Sequence, residues 1–164
     1  MVESWNYQPG SPTGTEGPPC PTPAWRIALP HTAAAVPMAR ALVRTALTEA
    51  DAPADRDTAE LLTAELVANA VEHTRACAPI ELVVELLADG CQVEVHDGDP
   101  RPPGDLTGPR DDAHPDPWQE HGRGLLLLRA LSSGCGHRRT ERGKAVWFTL
   151  SARPAAVPLR GPAV

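Results

Sequence analysis

The chain has no apolar run approaching the ~20 residues that a membrane-spanning helix needs. Its opening, Met1-Val2-Glu3-Ser4-Trp5, has no basic stretch leading into an apolar one, so a cytoplasmic location is expected. Positive charge is also short: 15 Lys and Arg stand against 21 Asp and Glu, giving a net charge of -6. Nucleic acid recognition rests on a dense basic patch that neutralises phosphates, and this balance argues against it. An anionic ligand would need local cations. Cys20, Cys77, Cys91 and Cys135 show no C-x-x-C pair and no metal-ligand spacing, which leaves reduced, mostly buried thiols as the expectation. The histidines are scattered singly, and no internal repeat is visible.

What is present is enough chain for one hydrophobic core, 164 residues, with 19 Pro and 13 Gly gathered mostly outside the periodic segments. Residues 1–23 carry Pro9-Gly10-Ser11-Pro12 and Gly17-Pro18-Pro19-Cys20-Pro21 and are expected to form a disordered arm, because they bury too little to offset chain entropy. A folded domain is expected over 24–151 and a flexible tail over 152–164. Within the domain, Trp25-Arg26-Ile27-Ala28-Leu29 alternates as a strand. Thr32 is placed to cap a helix over about 33–50, with Val36, Ala39, Leu42, Val43, Ala46 and Leu47 on one face. A second helix should start near Asp55 to Asp57, where carboxylates suit the helix dipole, and run to about His73. Ile80 to Leu86 and Cys91 to Val95 alternate around Asp89-Gly90 as a hairpin. Asp99 to His121, rich in proline and aspartate, reads as a long loop. A short helix over 125–131 and two strands joined at Glu141-Arg142-Gly143 complete the pattern.

The most informative stretch is Glu65-Leu66-Val67-Ala68-Asn69-Ala70-Val71-Glu72-His73-Thr74. On a helix, Glu65, Asn69 and His73 stack at i, i+4 and i+8 beside an apolar arc of Thr63, Leu66, Val67, Ala70 and Val71. Such a strip is either a solvated face or a site. Asn is a poor helix former with no cap to make here, and neither Glu65 nor Asn69 has a Lys or Arg four residues on. A Glu and an Asn one turn apart suit a general base beside a Mg²⁺ ligand.

Two further pieces carry chemistry. Asp97 continues the apolar face of Cys91, Val93 and Val95, so its carboxylate needs a donor, either from the protein backbone or a helix end, or from the amino group of a bound base. His121-Gly122-Arg123-Gly124 opens directly into the short helix. That geometry either brings backbone N–H groups to a phosphate or closes a tight loop onto the sheet.

In this order the three pieces resemble the N, G1 and G2 boxes of the GHKL ATPases, and Gly143-Lys144-Ala145-Val146-Trp147 stands where the last box lies. The Glu-x-x-x-Asn-Ala-x-x-His form and the Gly-Lys-x-Val-Trp ending look most like the anti-sigma-factor serine kinases. The resemblance spans roughly residues 25–150. It implies an α+β fold of Bergerat type, a two-layer sandwich in which a mixed, mostly antiparallel sheet is covered on one face by about three helices. It implies ATP and Mg²⁺ as cofactors, Glu65 as general base, Asn69 as Mg²⁺ ligand, Asp97 as acceptor for the adenine amino group, and Gly122 and Gly124 as phosphate-loop glycines. Arg123 and Lys144 would be the cations that face the triphosphate, and the loop from Asp99 to His121 the ATP lid. The implied activity is phosphorylation of a serine on an anti-anti-sigma (STAS-type) partner, with sequestration of a sigma factor and homodimer formation as further family traits.

Three departures stand out. Asp97-Gly98-Asp99-Pro100 lacks the fully spaced glycines of the usual G1 box, Glu72 stands where many relatives carry a cation, and Ala145 replaces a Thr that commonly supports the adenine-binding Asp. They keep a second reading open, a non-catalytic module that uses ATP, or nothing, to shape a partner-binding surface.

Overall fold

Alternation along the strands resolves into one five-stranded sheet of order β1-β2-β3-β5-β4 in a computed structural model that describes residues 23–74, 78–103 and 123–152. The strands are β1 (Ala24–Leu29), β2 (Ile80–Leu87), β3 (Gly90–Asp97), β4 (Gly134–Thr140) and β5 (Gly143–Ser151), and the helices α1 (Ala35–Glu49), α2 (Arg56–His73) and α3 (Arg123–Leu131). Every strand pairing is antiparallel. The α+β sandwich expected from the sequence is therefore present, with no parallel pair among the described strands. The N-terminal arm, the stretch read as a lid beyond Pro103, Gly122, the side chain of Arg123 and the tail lie outside the described residues.

Register assigns the two faces. Ile27, Leu82, Val95 and Val146 stand side by side, as do Trp25, Val84, Val93, Phe148 and Cys135. These rows join the core with Ala39, Val43 and Leu47 of α1 and Leu62, Leu66 and Val67 of α2. α1 packs over β1 and β2, α2 over β2, β3 and β5, and α3 against α2 and β4. The opposite rows, Arg26-Val83-Glu94-Trp147-Gly136 and Ala28-Glu81-His96-Ala145-Arg138, form the second face. There Glu94 accepts hydrogen bonds from Gln92 Nε2 and Arg138 Nη2, each at 2.9 Å, and lies 2.9 Å from His96 Nε2. Burial alone would push the Glu94 carboxyl up, but the hydrogen bonds and charges of His96 and Arg138 hold it down at about 2.

The helix starts follow local chemistry. Asp55 caps α2, its Oδ1 accepting from the N–H groups of Asp57 (3.1 Å) and Thr58 (3.3 Å). α1 begins two residues later than the sequence suggests, with Ala34 at the cap position and no side-chain cap. Thr32 contributes only its carbonyl, which accepts the Ala35 N–H at 3.0 Å. Pro37 falls in the first turn of α1, where its missing N–H breaks no helical bond. Buried Glu60 of α2 pairs with Arg44 and Arg40, fastening α2 to α1.

Candidate functional site

A cavity of about 500 Å³ opens between α2, the ends of β3 and β5, and the first turn of α3. Leu66, Asn69, Ala70 and His73 form its α2 wall, and Leu125 closes it from α3. Val95, Asp97, Lys144 and Val146 form the sheet wall, and Asp99, Arg101, Pro102 and Pro103 the rim. The helical i, i+4 spacing thus turns Asn69 and His73 toward one space, and strand alternation turns Asp97 and Lys144 toward the same one.

Glu65 stands one turn before Asn69 and faces the start of α3. A Cβ built on Gly124 would meet Glu65 Oε2 at 2.7 Å, Glu65 Cβ at 3.3 Å and Asn69 Nδ2 at 3.4 Å. A side chain at the second residue of α3 would therefore press on the Glu65 carboxylate and displace it. Glycine leaves a bare stretch of backbone beside a carboxylate and an amide, at a helix N-terminus whose dipole favours an anion.

At the sheet end, Asp97 is buried and Oδ1 accepts twice: from the Asp99 N–H at 2.8 Å and from Lys144 Nζ at 3.0 Å. Lys144, also buried, donates in addition to the Asp99 carbonyl at 3.1 Å. The Asp99 carboxylate in turn binds Arg101 through Nε and Nη2, and these hydrogen bonds hold it down at about 2. The turn Asp97-Gly98-Asp99 is thereby fixed by ionic and backbone bonds rather than by a series of glycines. Gly143 makes room for it: its φ is +154°, and a Cβ there would lie 2.0 Å from the Asp97 carbonyl oxygen.

Of the residues singled out in the sequence, Asn69, Asp97 and Lys144 share the cavity wall, and Glu65 and Gly124 touch beside it. Lys144 sits against Asp97 at the sheet end, not beside Gly124, because it is the register partner of Asp97. Ala145 pairs with His96 on the opposite face, so it does not occupy a position from which a side chain could support Asp97. Glu72 is exposed, lies 4.0 Å from His73 Nε2, and is not part of the cavity wall. Sequence reasoning missed the pairing of Lys144 with Asp97 and the parts played by Asp99 and Arg101. The period of β5 held the first signal, since Lys144, Val146, Phe148 and Leu150 alternate on one face. The Asp99-Arg101 contact depends on a turn conformation that no periodicity encodes.

The residues fit a Mg-nucleotide. Mg²⁺ keeps several waters and takes substrate phosphates among its ligands, so the Asn69 amide oxygen would serve as its protein ligand once the amide turns, Nδ2 being the atom nearest Gly124. An apolar slot between Val95, Val146, Leu66 and Leu125, ended by the Asp97 carboxylate, suits a flat heterocycle with a donor on its edge.

Among described residues, no helix is long and apolar enough to cross a membrane. A crystal structure of the RsbU and RsbW domains of Rv1364c from Mycobacterium tuberculosis resembles this chain with a TM-score of 0.57 at 25% identity. The match covers 80% of this chain and 33% of that one, so this chain spans about a third of the protein it matches. No curated protein matches. The family model for the histidine kinase-like ATPase domain matches residues 29–150, well over half of the sequence. With the sandwich fold and a cavity bounded by Asn69, Asp97 and the start of α3, the chain belongs to the histidine kinase-like ATPase domain family.

Proposed function

We propose that the protein binds Mg-ATP in this cavity and transfers the terminal phosphoryl group to a serine or threonine of an anti-anti-sigma partner. The observation that carries the reading is the crowding of Glu65 and Asn69 around the side-chain position of Gly124, next to a cavity ended by buried Asp97. Phosphoryl transfer demands little covalent chemistry of a protein; it needs the nucleotide, the acceptor hydroxyl and compensating charge held in place. Asn69 would hold the metal, which when bound neutralises charge on the phosphates. The N–H groups at the start of α3 would bind phosphate oxygens, and Glu65 would take the proton from the acceptor hydroxyl. Asp97 would accept a hydrogen bond from the base. Glu65 would then act at the α3 end and Asp97 at the sheet end, which separates proton transfer from base recognition.

The RsbW domain in the similar Mycobacterium tuberculosis protein supports a place in sigma-factor regulation, with a sigma factor as an alternative partner; a homodimer is the assembly that the family resemblance implies. The test is incubation of the full chain with Mg-ATP and a panel of anti-anti-sigma proteins, followed by mass spectrometry of the partner. A serine or threonine phosphopeptide that requires Glu65 supports the reading. A chain that binds Mg-ATP but phosphorylates none of the partners it demonstrably binds would remove the kinase assignment.

A further inference from the structure

We propose that Lys144 is a base-reading residue that makes the sheet end of the cavity tolerant of 6-oxopurines as well as 6-aminopurines; this rests on the nucleotide reading above. A carboxylate alone at the end of a base slot is acceptor only, so it favours an amino group and repels a carbonyl oxygen. Here the carboxylate is not alone. Lys144 Nζ lies 3.0 Å from Asp97 Oδ1, both side chains are buried, and both line the cavity.

The donor count fixes what the pair offers. An ammonium has three N–H groups and accepts nothing. Two are directed to Asp97 Oδ1 and the Asp99 carbonyl, which leaves one. Among the described residues the Asp97 carboxylate accepts two hydrogen bonds, both on Oδ1, from Lys144 and from the Asp99 N–H. That leaves an acceptor, Asp97 Oδ2, and a donor, the third N–H of Lys144, on two residues that line the slot, and both are assigned to the base edge.

An adenine edge presents an N6–H donor next to the N1 acceptor. A guanine or hypoxanthine edge presents the O6 acceptor next to the N1–H donor. Each satisfies the pair, the 6-oxopurine lying turned over in the slot relative to adenine so that the two partners are exchanged. Without Lys144, O6 would meet an unscreened buried carboxylate, and leaving such a group mispaired is how binding sites reject an analogue by large factors.

The experiment is titration calorimetry of the full chain with Mg²⁺ and the diphosphates of adenosine, inosine and guanosine, on the parent and on Lys144→Met. The parent is expected to bind the inosine and adenosine nucleotides within about tenfold of each other. In K144M the guanosine-to-adenosine ratio of Kd is expected to rise at least tenfold over the parent's. The inference requires both results, and the first needs no variant, so a poorly folded K144M leaves it open to refutation. Inosine binding more than tenfold weaker than adenosine in the parent overturns it, as does a folded K144M whose ratio moves by less than tenfold. A parent that binds none of the three overturns the nucleotide reading itself, whereas adenosine binding with strict 6-amino selectivity overturns only the role of Lys144.

Discussion

A Cβ on Gly124 would stand 2.7 Å from Oε2 of Glu65, so the first turn of α3 and the middle of α2 approach closely enough that any side chain there must displace the Glu65 carboxylate. Gly124→Ala should force Glu65 to another rotamer while leaving the fold intact, because alanine is favoured over glycine in a helix by up to about 1 kcal/mol. Phosphoryl transfer should fall ten- to a hundredfold, the cost of a displaced reacting group. Turnover and the melting temperature measured together check this. A large fall in melting temperature would show that the contact is a packing requirement instead.

Glu65 and Asn69 lie one helical turn apart and should fail differently. Glu65→Ala should keep Mg-ATP affinity and lose about 10² to 10⁴ in transfer, as for a lost general base. Asn69→Ala should weaken Mg²⁺-dependent nucleotide binding and transfer together. Affinity by calorimetry and transfer by phosphate incorporation separate the two; equal loss of affinity in both variants would dismiss Glu65 as the base.

The cap of α2 gives a prediction about the scaffold alone. Asp55→Ala removes the acceptor for the Asp57 and Thr58 N–H groups and should cost about 1 kcal/mol, lowering the melting temperature by a few degrees. Nucleotide affinity should be unchanged, because Asp55 lies at the end of α2 away from Asn69 and His73. Thermal unfolding with and without Mg-ATP measures both.

Glu94 supplies a pH dependence. Its folded value of about 2 lies below the ordinary 4.5, so its contribution to stability is complete above pH 4.5 and is lost as pH falls toward 2. Glu94→Gln removes that contribution. Between pH 5 and 3 the urea midpoint of the parent should therefore fall more steeply than that of E94Q. Parallel slopes would mean that His96 and Arg138 do not hold the carboxylate in solution.

Much of this architecture was legible because it rests on periods. The two-residue alternation of Ile80 to Leu86 and Cys91 to Asp97 carries the hairpin and puts Asp97 on the core face, and the 3.6-residue period of α2 lines up Glu65, Asn69 and His73. The start of α2 was visible from the carboxylates at Asp55 to Asp57, though not the cap that Asp55 forms. What was not legible depends on pairing between segments distant in the chain. Thr32 fails as a side-chain cap because α1 begins two residues later, with Ala34 at the cap position. Lys144 read as a phosphate cation until the register set it opposite Asp97, and Ala145 read as a lost support for Asp97 until the same register placed it on the other face.

That register has a consequence for how the strands find their phase. A slip of β5 by one residue would carry Lys144, Val146 and Phe148 to the polar face and bring Ala145 and Trp147 under the helices. Ala145 is fully buried on that second face, so burial alone does not distinguish the two phases at this position. The charge pair supplies the discrimination that apolar matching lacks: out of phase, Asp97 would face Ala145 or Gly143 with no cation beside it. The same two side chains that end the nucleotide slot thus also distinguish the native register of β3 and β5 from its one-residue neighbours.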